Sequence, residues 1–174
     1  MNDSFFDTTI LTEKEENIKR ITMRKLMFEP KDGYEYILRV KDKLRVEAYG
    51  YIVRILYKLN TRGVDKETLV KVFDNVPKNV FMTKNEYEIY EKMPDKVVIF
   101  RGTDNKEEDP KLSWTLDSSI GFNYYVLRMH SGIGKFFVAI ADKYSEIFAF
   151  FDDTEKEVIA KVSLYTYLDY MDCW

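Results

Sequence analysis

VVIFRG, residues 97–102, is where the residue pattern of the chain changes from helical to strand-like spacing. Short runs rich in Val, Ile, Phe and Tyr follow, separated by polar or glycine-containing breaks, a pattern typical of β-strands. They predict strands over residues 97–101, 112–115, 136–141, 147–151, 157–162 and 164–170. Between the second and third strands, Asp117 is expected to cap a helix that ends at Gly132.

The first part of the chain carries helix signals. Thr12 and Glu15 form a capping-box pattern ahead of a charged, amphipathic segment that runs to about Phe28. Pro30 and Gly33 are expected to break that helix, since neither residue favours a helix interior.

A longer helix that ends near Asn60 is predicted next, because apolar residues recur at intervals of three and four. Those residues are Ile37, Val40, Leu44, Ala48, Tyr51, Ile52, Ile55 and Leu59. Asp65 is expected to cap a short helix, and Thr83 with Glu86 predicts a second capping box before another helix.

Helices followed by a strand-rich half predict an α+β fold rather than an alternating parallel sheet. With 174 residues, the chain is expected to form one domain over residues 1–174. In that domain a helical part, residues 1–95, would pack on a β-rich part, residues 96–174, whose sheet would be mixed or antiparallel.

Composition excludes several classes of function. The net charge is -3 and there is no long basic run, so a general electrostatic grip on nucleic acid is not indicated, although a local basic patch stays open. One histidine, His130, and one cysteine, Cys173, cannot supply a zinc site, so no metal is expected. Without an apolar leader or a long apolar run, the chain is expected to be soluble and cytoplasmic. The segment 131–134, Ser-Gly-Ile-Gly, is interpreted as a turn.

Arg101 and Gly102 form the first candidate site. A strand that ends in this pair would deliver a guanidinium to a point where the backbone turns and a ligand can come close. A guanidinium bonds phosphate or ribose oxygens bidentately, which suits an anionic dinucleotide. The alternative for Arg101 alone is a surface arginine at a strand end.

Ser113-Trp114-Thr115 is the second candidate. Alternation along a strand puts both hydroxyls on one side and the indole on the other. Hydroxyls in that arrangement can orient a ribose or another side chain of an active site. Ordinary strand chemistry is the alternative for this triplet.

Glu155-Lys156-Glu157 is the third candidate, at the start of a predicted strand. Residues two apart on a strand share a face, which would bring both carboxylates together. Breaking a glycosidic bond creates an oxocarbenium-like centre that one carboxylate stabilises, while a second serves as base or orients the nucleophile. A solvated, charged strand entry is the alternative for the pair alone.

The three candidates, in this order, resemble the arginine, serine, glutamate signature of the mono-ADP-ribosyltransferase superfamily, in the branch of arginine-modifying bacterial toxins and vertebrate ecto-enzymes. Residues 98–102, 112–117 and 155–159 are particularly similar to small bacterial and bacteriophage members. The resemblance covers about residues 96–162. It implies a split β-sheet core of that type and an NAD-dependent transferase.

The resemblance also implies residue roles. Arg101 would hold a phosphate or the nicotinamide-side ribose of NAD, and Gly102 would let the cofactor approach the main chain. Ser113 would contact the catalytic glutamate, Glu157, and Thr115 would maintain the strand geometry. Glu157 would bind the nicotinamide ribose and stabilise the transition state.

On the acceptor side, the resemblance assigns Glu155 to orienting or deprotonating the acceptor, and a glutamate there favours arginine of a partner protein. Residues 150–154 would form the recognition loop, with Phe151 as a candidate contact to a partner surface. Phe122 or Tyr125 would pack against nicotinamide, although a role in the core is an equal alternative for both.

Three other functions stay open. The same residues could hydrolyse NAD, or transfer ADP-ribose to nucleic acid. A non-enzymatic bacterial or phage interaction protein that keeps the fold is the third, because thirteen Tyr and twelve Phe exceed what one small core can enclose. The sequence does not identify the acceptor, and a monomer is expected.

Overall fold

The structure is a computed structural model that describes residue 6 and residues 9–104, 111–129 and 134–169. The predictions for His130, Cys173 and residues 131–133 lie outside the described residues. The chain divides into two compact units, Met1–Tyr87 and Glu88–Trp174, with the division inside a helix and before residue 95. The expectation of one domain over residues 1–174 stays a prediction.

The fold is α+β, with helices first and a sheet second, as predicted. The helices are α1 (Glu13–Phe28), α2 (Pro30–Val40), α3 (Val46–Leu59), α4 (Lys66–Phe73), α5 (Lys84–Lys92) and α6 (Ser118–Met129). The strands are β1 (Lys96–Asp104), β2 (Ser113–Thr115), β3 (Gly134–Asp142), β4 (Ile147–Phe151), β5 (Glu157–Ala160) and β6 (Tyr165–Asp169). Short 3₁₀ turns, Lys41–Lys43 and Lys78–Phe81, precede α3 and α5.

Helix capping follows the sequence signals. The Thr12 hydroxyl accepts from the Glu15 backbone N–H, and the Glu15 carboxylate accepts from the Thr12 backbone, which completes the predicted capping box. The Asp65 carboxylate accepts from the Thr68 backbone N–H at the start of α4. Capping satisfies backbone donors that no helical carbonyl can reach, so these residues set where α1 and α4 begin.

The prediction of one long helix ending near Asn60 is wrong, because α2 and α3 are separated by a turn and an extended Arg45. The break lets the Arg45 side chain reach the buried Glu15 carboxylate, with Nε at 2.9 Å from Oε1 and Nη2 at 2.8 Å from Oε2. As predicted, α1 ends at Phe28, just before Pro30. Pro30 then begins α2, since a proline at the first helical position has no N–H to lose.

Gly33 lies inside α2 and does not break it. A Cβ at this position would lie 3.0 Å from the backbone of Leu26, so the glycine lets α1 and α2 approach closely. Ile37, Ile52 and Leu56 are fully buried in the same unit and form part of its core.

The six strands form one sheet in the order β4-β5-β2-β1-β3-β6, and every described pairing is antiparallel. β1 pairs with β3 along its whole length. Among the described residues, β1 meets β2 only through Phe100 and Thr115. The β4-β5-β2 and β1-β3-β6 halves are therefore joined by a narrow bridge, and β1, β2 and β5, which carry the three candidate motifs, are adjacent.

Helix α6 packs closely on β1 because of two glycines. A Cβ on Gly102 would lie 2.2 Å from the carbonyl oxygen of Gly121, and one on Gly121 would lie 3.0 Å from Cβ of Phe100. The two glycines therefore fix the distance between helix and strand. Among the described residues, none of the helices combines the length and hydrophobicity needed to cross a bilayer.

Candidate functional site

A cavity of about 310 Å³ opens in the second unit, beside β1, β2, α6 and the turn before β5. The predicted site residues Arg101, Gly102, Ser113, Thr115 and Glu155 line it, and so does Tyr124. Sites for small molecules span roughly 300–1,000 Å³, so the volume of this cavity lies at the lower end of that range.

Ser113 connects the cavity to Glu157. Its hydroxyl donates to Oε1 of Glu157 at 2.6 Å, across neighbouring strands β2 and β5. The Glu157 side chain is buried and is not among those lining the cavity, so Ser113 lies between it and the open space. A carboxylate that accepts a hydroxyl donor in a buried position is restrained in orientation, because it has little water to replace that partner.

Arg101 reaches from β1 to β2. Its Nη1 donates to the backbone carbonyl of Ser113 at 2.5 Å, beside the narrow bridge in the sheet. The guanidinium therefore reinforces the join between the two halves of the sheet while its side chain lines the cavity. A guanidinium has five N–H donors in a planar fork, so it can bond more than one acceptor.

The prediction that Glu155 and Glu157 share a strand face is wrong. β5 begins at Glu157, and Glu155 lies in the preceding turn. Lys156 between them has a left-handed backbone, with φ at 48°, which an extended strand cannot contain. Thr115 holds the turn through its hydroxyl, which donates to the Glu155 carbonyl at 2.5 Å. The result is one buried carboxylate behind Ser113 and one at the cavity.

Tyr124 also lines the cavity, although no motif in the sequence indicates it. Its phenol donates to Oε1 of Glu155, and this hydrogen bond, together with partial burial and nearby negative charge, raises the pKa of Tyr124 to about 12. The predicted nicotinamide contacts, Phe122 and Tyr125, do not line the cavity. Tyr125 is buried and Phe122 is half-exposed, and their rings lie near each other and near Phe136.

Gly102 lines the cavity, but the structure also gives it a packing role. Backbone atoms of Gly121 and Tyr125 occupy the space that its Cβ would need. The glycine is therefore required for the contact between helix and strand, whether or not a ligand approaches it.

The prediction that Phe151 contacts a partner surface is wrong. Phe151 is fully buried at the end of β4, and Phe150 beside it is also buried. The turn that follows, residues 152–156, is more exposed, and its Lys156 forms an ion pair with Asp152. Any recognition by this loop would therefore involve its polar residues.

The cavity offers a specific set of functional groups: the guanidinium of Arg101, the hydroxyl of Ser113 with the carboxylate of Glu157 behind it, and the carboxylate of Glu155 with the phenol of Tyr124. A cation and hydrogen-bond donors suit an anionic or ribosyl ligand, and the carboxylates suit a developing positive charge. Within the described ranges, no three His, Cys, Asp or Glu side chains cluster closely enough to hold a metal ion.

Comparison with known proteins identifies no relative: no protein-family model, curated protein or solved structure matches the chain.

Proposed function

We propose that the protein is an NAD-dependent mono-ADP-ribosyltransferase that acts in the cytoplasm, transfers ADP-ribose to a protein side chain, preferably arginine, and releases nicotinamide. The hydrogen bond from Ser113 to Glu157, beside Arg101 at one cavity, is the observation that carries this proposal. Arg101 of β1 and Ser113 of β2 line the cavity, and Ser113 bonds Glu157 of β5. This proximity of residues far apart in sequence supports the roles that the motif resemblance implies.

The donor set fits the reactive half of NAD. Arg101 would bind a phosphate or ribose oxygen, since it lines the cavity and a guanidinium bonds such oxygens through a planar fork of N–H donors. Ser113 would orient Glu157, which would accept a ribose hydroxyl and stabilise positive charge on the ribosyl carbon. For Glu157 to act directly, the contact would form at the inner wall of the cavity behind Ser113.

The proposed reaction exchanges one glycosidic bond for another. The bond between nicotinamide nitrogen and the ribosyl carbon breaks, and its electron pair leaves with nicotinamide. Glu155 would orient the acceptor nitrogen, whose lone pair forms the new bond to that carbon, and would accept the proton that the nitrogen loses. A carboxylate at the cavity, in a turn instead of inside a strand, suits contact with a second substrate.

Incubation with labelled NAD and a cell lysate tests the proposal. The wild type should label proteins, and Glu157→Gln should label them more weakly by a factor of about 10² or more. Hydroxylamine should release the label from the proteins at the rate expected for ADP-ribose bound to arginine. Glu88→Gln is the matched control, because Glu88 is an exposed carboxylate of the same unit and does not line the cavity. Equal labelling by wild type and Glu157→Gln would reject the assignment of Glu157.

A further inference from the structure

We propose that Tyr124 is a positioning residue for Glu155 and directs the site toward transfer to an acceptor and away from hydrolysis of NAD. This inference rests on the proposed function. Its basis is the hydrogen bond from the Tyr124 phenol to Oε1 of Glu155, which connects α6 to the turn before β5 at the edge of the cavity.

The helix side of this contact is fixed by packing. A Cβ on Gly102 would lie 2.8 Å from Cβ of Tyr124 and 2.4 Å from the backbone nitrogen of Tyr125. At that separation α6 cannot move closer to β1. Asp117 accepts from the Ser119 backbone N–H at 2.8 Å and holds the first turn of the helix. The backbone that carries Tyr124 is therefore held independently of Glu155.

The turn side is fixed as well. The Glu155 carbonyl accepts from the Thr115 hydroxyl at 2.5 Å, and the Glu155 N–H donates to Oδ1 of Asp153 at 3.0 Å. These bonds hold the Glu155 backbone, but they leave its side-chain torsions free. Among the described residues, Tyr124 is the one side chain that hydrogen-bonds the Glu155 carboxylate.

The phenol is a constant donor. Its pKa is raised to about 12, first by the hydrogen bond to Glu155, so it stays protonated at every pH at which an enzyme of this kind is assayed. Glu155 keeps one oxygen bound to Tyr124 and has the other available to an acceptor. A carboxylate held in this way spends more time in the orientation that receives the acceptor nitrogen.

Transfer and hydrolysis depend on Glu155 differently. In transfer, a guanidine nitrogen must be oriented and must lose a proton to Glu155 as it bonds the ribosyl carbon. In hydrolysis, water at high concentration attacks the same carbon and needs less orientation. Loss of the phenol should therefore slow transfer more than cleavage of NAD.

Parallel assays with agmatine, a small guanidine acceptor, and with water alone test this inference. Tyr124→Phe keeps the ring and removes the donor, and its ratio of agmatine transfer to NAD hydrolysis should fall about tenfold to a hundredfold, the cost of a misoriented reacting group. Tyr144→Phe is the matched control, because Tyr144 is an exposed tyrosine that also hydrogen-bonds a carboxylate, that of Asp95, and does not line the cavity.

An unchanged ratio in Tyr124→Phe would overturn the inference, as would an equal fall in both reactions, which would indicate a structural role. A wild type that neither transfers to agmatine nor hydrolyses NAD would overturn the proposed function and this inference with it. NMR of the Tyr124 phenol gives a readout without activity: its titration midpoint should fall in Glu155→Gln, and an unchanged midpoint would contradict the contact.

Discussion

Ser113 and Glu157 lie 44 residues apart in the chain, and the Ser113 hydroxyl donates to the Glu157 carboxylate at 2.6 Å. The contact exists because β2 and β5 are neighbours in the sheet, with Ser113 opposite Ile159 and Thr115 opposite Glu157. Strand pairing therefore brings the serine hydroxyl to the glutamate and restrains the orientation of its carboxylate.

Ser113→Ala should reduce NAD cleavage about tenfold to a hundredfold through kcat with little change in KM, because the substitution frees the carboxylate that, in the proposed reaction, acts in the transition state. The stability loss should be about 1 kcal/mol, the net value of an ordinary hydrogen bond. Steady-state kinetics and denaturation measure both quantities.

Ser145→Ala is the control for that variant. Its hydroxyl also donates to a carboxylate, that of Asp142 at 2.9 Å, but it does not line the cavity with Ser113. Activity should therefore be unchanged in Ser145→Ala. A Ser113→Ala enzyme as active as Ser145→Ala would show that the contact with Glu157 has no catalytic role.

Gly102→Ala should destabilise the second unit by about 1–3 kcal/mol, the range for overpacking. Its Cβ would lie 2.2 Å from the Gly121 carbonyl and 2.4 Å from the Tyr125 nitrogen, and backbone atoms cannot move aside as side chains can. Chemical denaturation gives the loss. A stability equal to that of the wild type would contradict the close packing of α6 on β1.

The ion pair of Glu15 with Arg45 should make the first unit sensitive to acid. Hydrogen bonds, first from Arg45 and then from Thr12, lower the pKa of Glu15 from 4.5 to about 2 in the folded protein, against the opposing effect of burial. The stabilisation is therefore complete above the unfolded pKa of 4.5 and disappears as the pH falls toward about 2. Denaturation of the wild type and Glu15→Gln from neutral to acidic pH measures it.

The two proteins should differ most near neutral pH and converge in acid, since protonated Glu15 no longer pairs with Arg45. A difference that stays constant across that range would mean that the charge of Glu15 does not contribute. Because Arg45 is about half exposed, solvent screening should keep the effect modest.

Local signals in the sequence are sufficient to predict most of the helices and strands. Capping patterns at Thr12 and Asp65 predicted where helices begin, because a cap depends on residues three positions apart. The break between α2 and α3 was missed because Val40, Leu44 and Ala48 keep helical spacing across it. This break allows Arg45 to bond Glu15, a contact between distant segments that the spacing of residues within one segment cannot reveal.

The sequence predicts only part of the candidate site, because one of its side chains is placed there by packing between elements. Arg101, Ser113 and Glu155 were selected from motif order, and sheet pairing brings them to one cavity. Tyr124 was passed over for Phe122 and Tyr125, since the face of α6 that meets the cavity depends on its packing against Gly102. Glycine at positions 102 and 121 was the available signal, because paired glycines indicate close approach of two backbones.

Release of nicotinamide from NAD by the purified protein is the most direct test of the central claim, that Glu157 behind Ser113 supports cleavage of the glycosidic bond. The wild type should release nicotinamide, and Glu157→Gln, which keeps the size and a hydrogen-bonding oxygen but removes the charge, should be slower by a factor of about 10² or more at unchanged NAD affinity. Equal rates for a folded Glu157→Gln and the wild type would contradict the claim.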